Sequence, residues 1–252
     1  MNKKIIIDIN CDLGEGSTRE DADNDALLMS YLSSCNIACG GHAGNAKTIE
    51  YAINDALENQ LKIGAHPGYP DLENFGRKTH TYTQNQVIEF LHEQMGRFLA
   101  IADRHKARLN HIKLHGALYN DVEHNLELAS VVASTFAESF PNIEIYGLAQ
   151  GTFQKVCEEK QLNFIPEGFI DRRYTPENKL AARTIAGAMI TEDEECIEQA
   201  IALAKNQSIK SITGELITPI VKTICLHGDN ENALSIAKKL KQALSENNIS
   251  IA

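Results

Sequence analysis

Short apolar runs of strand length alternate with longer amphipathic segments along the whole chain, and few folds admit that alternation. The runs fall at 4–10, 35–39, 61–66, 109–115, 143–148, 162–166 and 222–227, with a weaker pair around 209–218. A strand pattern repeatedly followed by a helix pattern predicts parallel strands joined by helical crossovers. Helices are expected over about 22–33, 46–60, 122–139, 150–160 and 230–247. Capping-box spacing at Thr83 with Gln86 and at Thr191 with Glu194 predicts two more, starting near 84 and 192. A length of 252 residues suits one α/β barrel, so a single domain over 1–252 is expected.

Four of the strand runs close on histidine, at His42, His66, His115 and His227, with glycine beside each or just before it. Carboxyl ends of parallel strands meet on one face, where ligands bind. One such histidine is more often a structural hydrogen bonder than a catalyst; four on one face point to a pocket. The run "INCDLGEG" adds Asp12 and Glu15 to that face, and "EGFIDRRY" adds Glu167, Asp171, Arg172 and Arg173. Lys113 lies two residues before His115 and shares its side of the strand. Carboxylates, imidazoles and cations together suit proton transfer and the gripping of an anion. The remaining histidines, at 80, 92, 105, 111 and 124, read as surface or core residues. Two long connections, 67–82 and 167–184, carry further polar residues, and long loops in compact folds are usually functional.

Composition narrows the partners. A formal net charge of −10, with no lysine–arginine block, disfavours nucleic acid and anionic membrane surfaces. Six cysteines show no C-x-x-C pair and no disulfide-framework spacing, which predicts reduced thiols in a cytoplasmic protein. The triple isoleucine near the amino terminus is far short of a signal-peptide core, and no window reaches membrane-spanning length. The chain has no G-x-x-x-x-G-K-[ST] loop and no G-x-S-x-G elbow.

Six segments in order, "INCDLGEG", "NIACGGHAGN", "KIGAHPGYPD" with "FGR", "IKLHGALYN", "EGFIDRRYTP" and "TICLHGD", resemble the LamB/YcsF family, to which the A component of 5-oxoprolinase belongs. The resemblance implies an irregular seven-stranded (β/α) barrel of the glycoside hydrolase/deacetylase type. It implies ATP-dependent opening of 5-oxo-L-proline to L-glutamate, with ATP bound by partner subunits B and C that phosphorylate the lactam. On that reading Asp12 is the base with Glu15 beside it, His115 the general acid, and His42 and His66 orient or share protons. Arg77, Lys113, Arg172 and Arg183 would bind anions, and Asp171, His227 and Asp229 would complete the substrate site. An alternative is a metal-dependent deacetylase or amidohydrolase with Asp12, His66 and His115 as ligands to a divalent ion. A non-enzymatic scaffold or carbohydrate-binding component is the third reading. Departures such as "CGGHAGN" for the family's CGFHAGDP touch the pocket rim.

Overall fold

The structure is a computed structural model that describes residues 4–228 and 232–252. Among them, the strands are β1 (Ile5–Leu13), β2 (Ser34–Ala38), β3 (Lys62–His66), β4 (Leu109–Lys113), β5 (Glu144–Leu148), β6 (Phe164–Phe169), β7 (Ile209–Lys210), β8 (Leu216–Ile217), β9 (Thr223–Leu226) and β10 (Ile249–Ile251). The helices are α1 (Arg19–Met29), α2 (Ala46–Glu58), α3 (Gln84–Arg104), α4 (Gly116–His124), α5 (Leu126–Ser139), α6 (Thr152–Glu159), α7 (Asp193–Ala204) and α8 (Ala233–Glu246).

The strands β1 to β6 and β9 pair in parallel, and β9 returns to β1, so seven strands close into a barrel. The expected seven-stranded (β/α) architecture is what forms. Closure uses β1 twice over: Asp8–Cys11 pair with β9, while Ile5–Ile7 pair with β10. Strand β10 is absent from the sequence reading, because three residues carry too little pattern to be read alone. The pair around 209–218 proves to be an antiparallel ribbon, β7 with β8, outside the barrel.

Several helix boundaries move, each for a local reason. Helix α1 starts at 19 because Thr18 and Asp21 form a reciprocal capping box. The helix expected over 122–139 is two: Asn125 is extended, caps α5 through Leu128 N–H, and ends α4. The Thr191 cap is not used, since Glu192 occupies the cap position of α7 without a side-chain bond. The Thr83–Gln86 box does cap α3.

Period two sorts the barrel's side chains. Ile7, Ile9, Cys11 and Leu13 of β1 belong to the buried apolar layer between sheet and helices, whereas Asp8, Asn10 and Asp12 face inward. The interior is therefore a polar network rather than the aliphatic layers usual in such barrels. The network needs Gly64, where a Cβ would collide with the His111 ring. All six cysteines are free and buried. Among the described residues, no helix is long and apolar enough to cross a membrane.

Candidate active site

A cavity of about 330 Å³ opens at the carboxyl ends of the strands. Its wall includes Asp12 and Glu15 after β1, His66 at the end of β3, Lys113 and His115 from β4 and beyond, and His227 after β9. Arg77 from the loop after β3, and Arg172 and Arg183 from the connection after β6, complete it. His42 lies directly behind this wall, stacked on His115, and Asp171 lies behind His227. Asp229 lies outside the described residues.

Lys113 anchors the floor. Its Nζ donates to Glu167 Oε1 at 2.9 Å, Asp12 Oδ1 at 3.0 Å and Asn10 Oδ1 at 3.2 Å. Burial works against its charge, yet the carboxylates of Asp12 and Glu167 win and hold the ammonium well above its usual pKa. Burial likewise opposes the charge on Asp12, but His66 and Lys113 outweigh it and keep that carboxyl well below the usual range. Glu167 is fully buried and also accepts from Tyr119 Oη at 2.9 Å and Asn10 Nδ2 at 2.8 Å. It is thus the counter-ion under the pocket.

Two imidazoles are fixed from behind by backbone carbonyls. His66 Nδ1 donates to Lys113 O at 2.8 Å, and His115 Nε2 donates to Phe75 O at 2.9 Å. Carbonyls only accept, so those nitrogens carry the protons. The other nitrogens, His66 Nε2 and His115 Nδ1, then face each other 3.0 Å apart. Asp12 Oδ2 lies 3.3 Å from His66 Nε2, and Glu15 Oε1 lies 3.3 Å from His115 Nδ1. The His42 ring stacks flat on His115, with centroids 3.5 Å apart, and its Nε2 meets Glu15 Oε1 at 3.0 Å. Burial, then the neighbouring rings, push both His42 and His115 well below the ordinary imidazole pKa.

The facing wall is cationic. Arg172 is buried, donates to Ala181 O at 2.6 Å, and leaves Nε without a hydrogen-bond partner. Burial and the nearby Arg183 lower its pKa to about 10. An orphaned, desolvated guanidinium N–H beside a cavity is what an incoming anion would satisfy. Asp171 accepts from His227 Nδ1 at 2.8 Å with both oxygens, which fixes the tautomer and leaves Nε2 as the basic nitrogen. Burial opposes the Asp171 charge, but His227, Arg172 and Arg183 keep its pKa low.

The fold thus gathers Asp12, Glu15, His66, Arg77, Lys113, His115, Arg172, Arg183 and His227 around one cavity. Arg173 is turned away and pairs with Glu195. The sequence reading missed Asn10, Asn36 and His111. Asn36 Nδ2 donates to Asp12 Oδ1 at 2.7 Å, and His111 Nε2 donates to Asn36 Oδ1 at 2.7 Å, so both hold Asp12 in place. Their signal was present: polar residues at every second position, 8-10-12 and 111-113-115, in otherwise apolar strands. Of the donors suggested for a metal, His66 and His115 have ligand atoms in one group within 4.8 Å together with Glu15 and His42; Asp12 falls outside that group.

Comparison with known proteins places this geometry. The model of the LamB/YcsF family matches residues 7–252. The chain is 39% identical over 245 residues to the A component of 5-oxoprolinase from Haemophilus influenzae, covering 97% of this chain and 98% of that one. Identity to the Bacillus cytotoxicus protein of the same name is 37% over 245 residues, covering 97% of each. Among solved structures, the lactam utilization protein from Thermus thermophilus superposes with a TM-score of 0.91 at 28% identity, covering 98% of this chain and 99% of that one. A putative cellobiose-phosphate cleavage protein from Enterococcus faecalis shares the fold alone, with a TM-score of 0.61 at 13% identity over 99% and 97% of the two chains. Full-length agreement in sequence and in barrel has one reading: the chain belongs to the LamB/YcsF family.

Proposed function

We propose that this chain is the A component of an ATP-dependent 5-oxoprolinase, opening the activated 5-oxo-L-proline ring to L-glutamate in the cytoplasm. Partner subunits B and C bind ATP and phosphorylate the lactam. The names of the relatives support this reading, and so does a chain with no phosphate-binding loop. The observation that carries it is the division of one cavity into a cationic wall and a wall of carboxylates and imidazole lone pairs.

A lactam resists water because amide resonance feeds electrons into its carbonyl carbon. Phosphorylation of the carbonyl oxygen removes that protection. The remaining tasks are to grip the anionic groups, to take a proton from the attacking water and to give one to the ring nitrogen as the C–N bond breaks, leaving an acyl phosphate that a second water hydrolyses to glutamate and inorganic phosphate. Arg77, Arg172 and Arg183 grip, since a planar guanidinium matches carboxylate and phosphate oxygens. His227, held by Asp171, moves the proton. Asp12 is pinned through Oδ1 by Lys113 and Asn36, with its Oδ2 3.3 Å from His66 Nε2. It serves as the fixed charge that orients the floor and not as a free base. His115 has Nε2 committed to Phe75 O and turns Nδ1 toward His66.

The test is glutamate formation from 5-oxoproline and ATP, measured for the chain alone and with subunits B and C. The chain alone should neither hydrolyse ATP nor consume 5-oxoproline, and the three-component mixture should do both. Turnover by the isolated chain, or none by the mixture, would overturn the reading. In the active mixture, Arg172→Met should lower kcat/KM roughly ten- to a hundredfold, mostly through KM, the scale of one charged hydrogen bond.

A further inference from the structure

Ring opening changes the charge of one atom. In the O-phosphorylated ring the nitrogen carries no hydrogen. As water attacks, a C–O bond forms and the C–N bond breaks with its electron pair kept on nitrogen. Both water protons end on that nitrogen, the water oxygen becomes the carbonyl of the acyl phosphate, and a third proton from solvent turns the new primary amine into an ammonium. A cavity walled by Arg77, Arg172 and Arg183 repels that charge. A carboxylate is needed to meet it.

Among the described residues, the acids that line the cavity are Asp12, Glu15 and Asp121. Asp12 is already matched by the Lys113 ammonium at 3.0 Å, and Glu15 contacts His42 at 3.0 Å and His115 at 3.3 Å. Asp121, on α4, differs. Its Oδ2 accepts from Tyr69 Oη at 2.9 Å and its Oδ1 from Thr79 Oγ1 at 3.0 Å, both neutral donors, and no described cation pairs with it. Each carboxylate oxygen keeps a second lone pair, so the hydroxyls orient the group without neutralising it. We propose that Asp121, oriented by Tyr69 and Thr79, is an ammonium subsite that receives the amino group of L-glutamate as the ring opens. The subsite rests on the ring-opening reading and adds to it the residue that recognises the product.

The position suits an α-amino acid, whose ammonium and carboxylate share one carbon, so an ammonium subsite has to adjoin an anion binder. Thr79, which holds Asp121, stands two residues beyond Arg77 on the same connection. That connection also grips the start of α4: Ala117 N–H donates to Gly76 O at 2.9 Å, and a Cβ at Gly116 would lie 3.8 Å from Arg77 Cγ. Carboxylate on Arg77 and ammonium on Asp121 then point the reacting carbon toward Arg172, Arg183 and His227. The solvent side fits as well. A second cavity, of about 410 Å³, shares Thr79, Asp121 and His124 with the first. Its wall carries Tyr69, His80, Tyr82 and Glu127 and, among the described residues, no lysine or arginine. Asp121 therefore meets water from a side without guanidinium groups, where the third proton can arrive.

The experiment titrates the isolated full-length chain, by calorimetry, with L-glutamate and with glutarate, the same dicarboxylate without the amine. Wild type should prefer glutamate at least about tenfold, the scale of one charge-assisted hydrogen bond. Asp121→Asn should bring that preference to within about twofold while glutarate binding stays within about twofold of wild type, and Asp121→Glu, which keeps the charge, should retain part of it. Asp121→Gln repeats the loss of charge should the asparagine variant not fold. In the mixture with subunits B and C, Asp121→Asn should lower kcat roughly tenfold and leave KM for 5-oxoproline, which has no ammonium, within about twofold. Wild type that binds glutarate as well as glutamate, or binds neither, overturns the subsite, and so does Asp121→Asn that keeps the preference. A wild-type mixture that makes no glutamate sinks the ring-opening reading instead; one that turns over while Asp121→Asn still discriminates sinks the subsite alone.

Discussion

Asp25 shows how one residue can tie loop geometry to pH. It sits on α1, accepts from Gly14 N–H at 2.7 Å and so fixes the turn that leads into Glu15. Burial, with Glu15, Asp21 and Asp55 nearby, raises its pKa from 3.8 to about 7. A carboxyl with a raised folded pKa contributes stability that is full below its unfolded value and is lost as pH rises through the folded one. Asp25→Asn keeps an acceptor for Gly14 and cannot ionise. Its stability relative to wild type should therefore climb between pH 4 and pH 8, by up to roughly 4 kcal/mol. Urea unfolding across that range checks it; a difference that stays flat with pH would show that Asp25 ionises normally.

At the scale of elements, α4 and α6 are joined by a cap borrowed across the fold. Gly151 begins α6 with no capping side chain, and Glu123 near the end of α4 fills the gap by accepting from Thr152 and Phe153 N–H. Burial raises the Glu123 pKa despite those bonds, so the carboxylate is held there at some cost. A Cβ at Gly151 would strike that carboxylate and push it off the helix end. Glu123→Ala should cost roughly 1–2 kcal/mol, or about 3–6 °C in Tm, with Glu123→Gln losing less. Calorimetry of the two variants measures it, and equal Tm values for Glu123→Ala and wild type would remove the cap from the account. The long connection after β6 is braced at the same place, since Lys179 Nζ donates to Glu123 O at 2.9 Å.

The whole molecule closes through β1, whose first half would be a bare edge without β10. Ile5–Ile7 pair with Ile249–Ile251, and Ala252 N–H donates to Ile7 O at 2.9 Å. Ile249 is buried, so removing 249–252 takes away one core side chain and uncovers a strand edge. The truncated chain should lose roughly 2–3 kcal/mol and about 5–10 °C in Tm, and aggregate on warming. Light scattering during a thermal ramp reads both effects; unchanged Tm and solubility would mean that β10 is ornamental to closure.

The alternation of apolar runs and helix patterns determined a parallel α/β sheet from sequence alone, because the crossover rule leaves such strands few other arrangements, while its closure into a barrel was suggested by length and by the family resemblance. Period two and strand-end position likewise placed Asp12, Lys113, His66, His115 and His227 on one face, since both are properties of a single strand. What only the tertiary structure decided is pairing. That His66 and His115 turn lone pairs toward each other depends on carbonyls of Lys113 and Phe75, one on a neighbouring strand and one on a loop. That His111 props Asn36, and Asn36 props Asp12, depends on three strands meeting inside a closed barrel. Strand β10 is legible only beside β1. Sequence periodicity specifies which way a side chain faces, but its partner is chosen by chain closure over scores of residues, and a one-dimensional pattern carries no record of that distance.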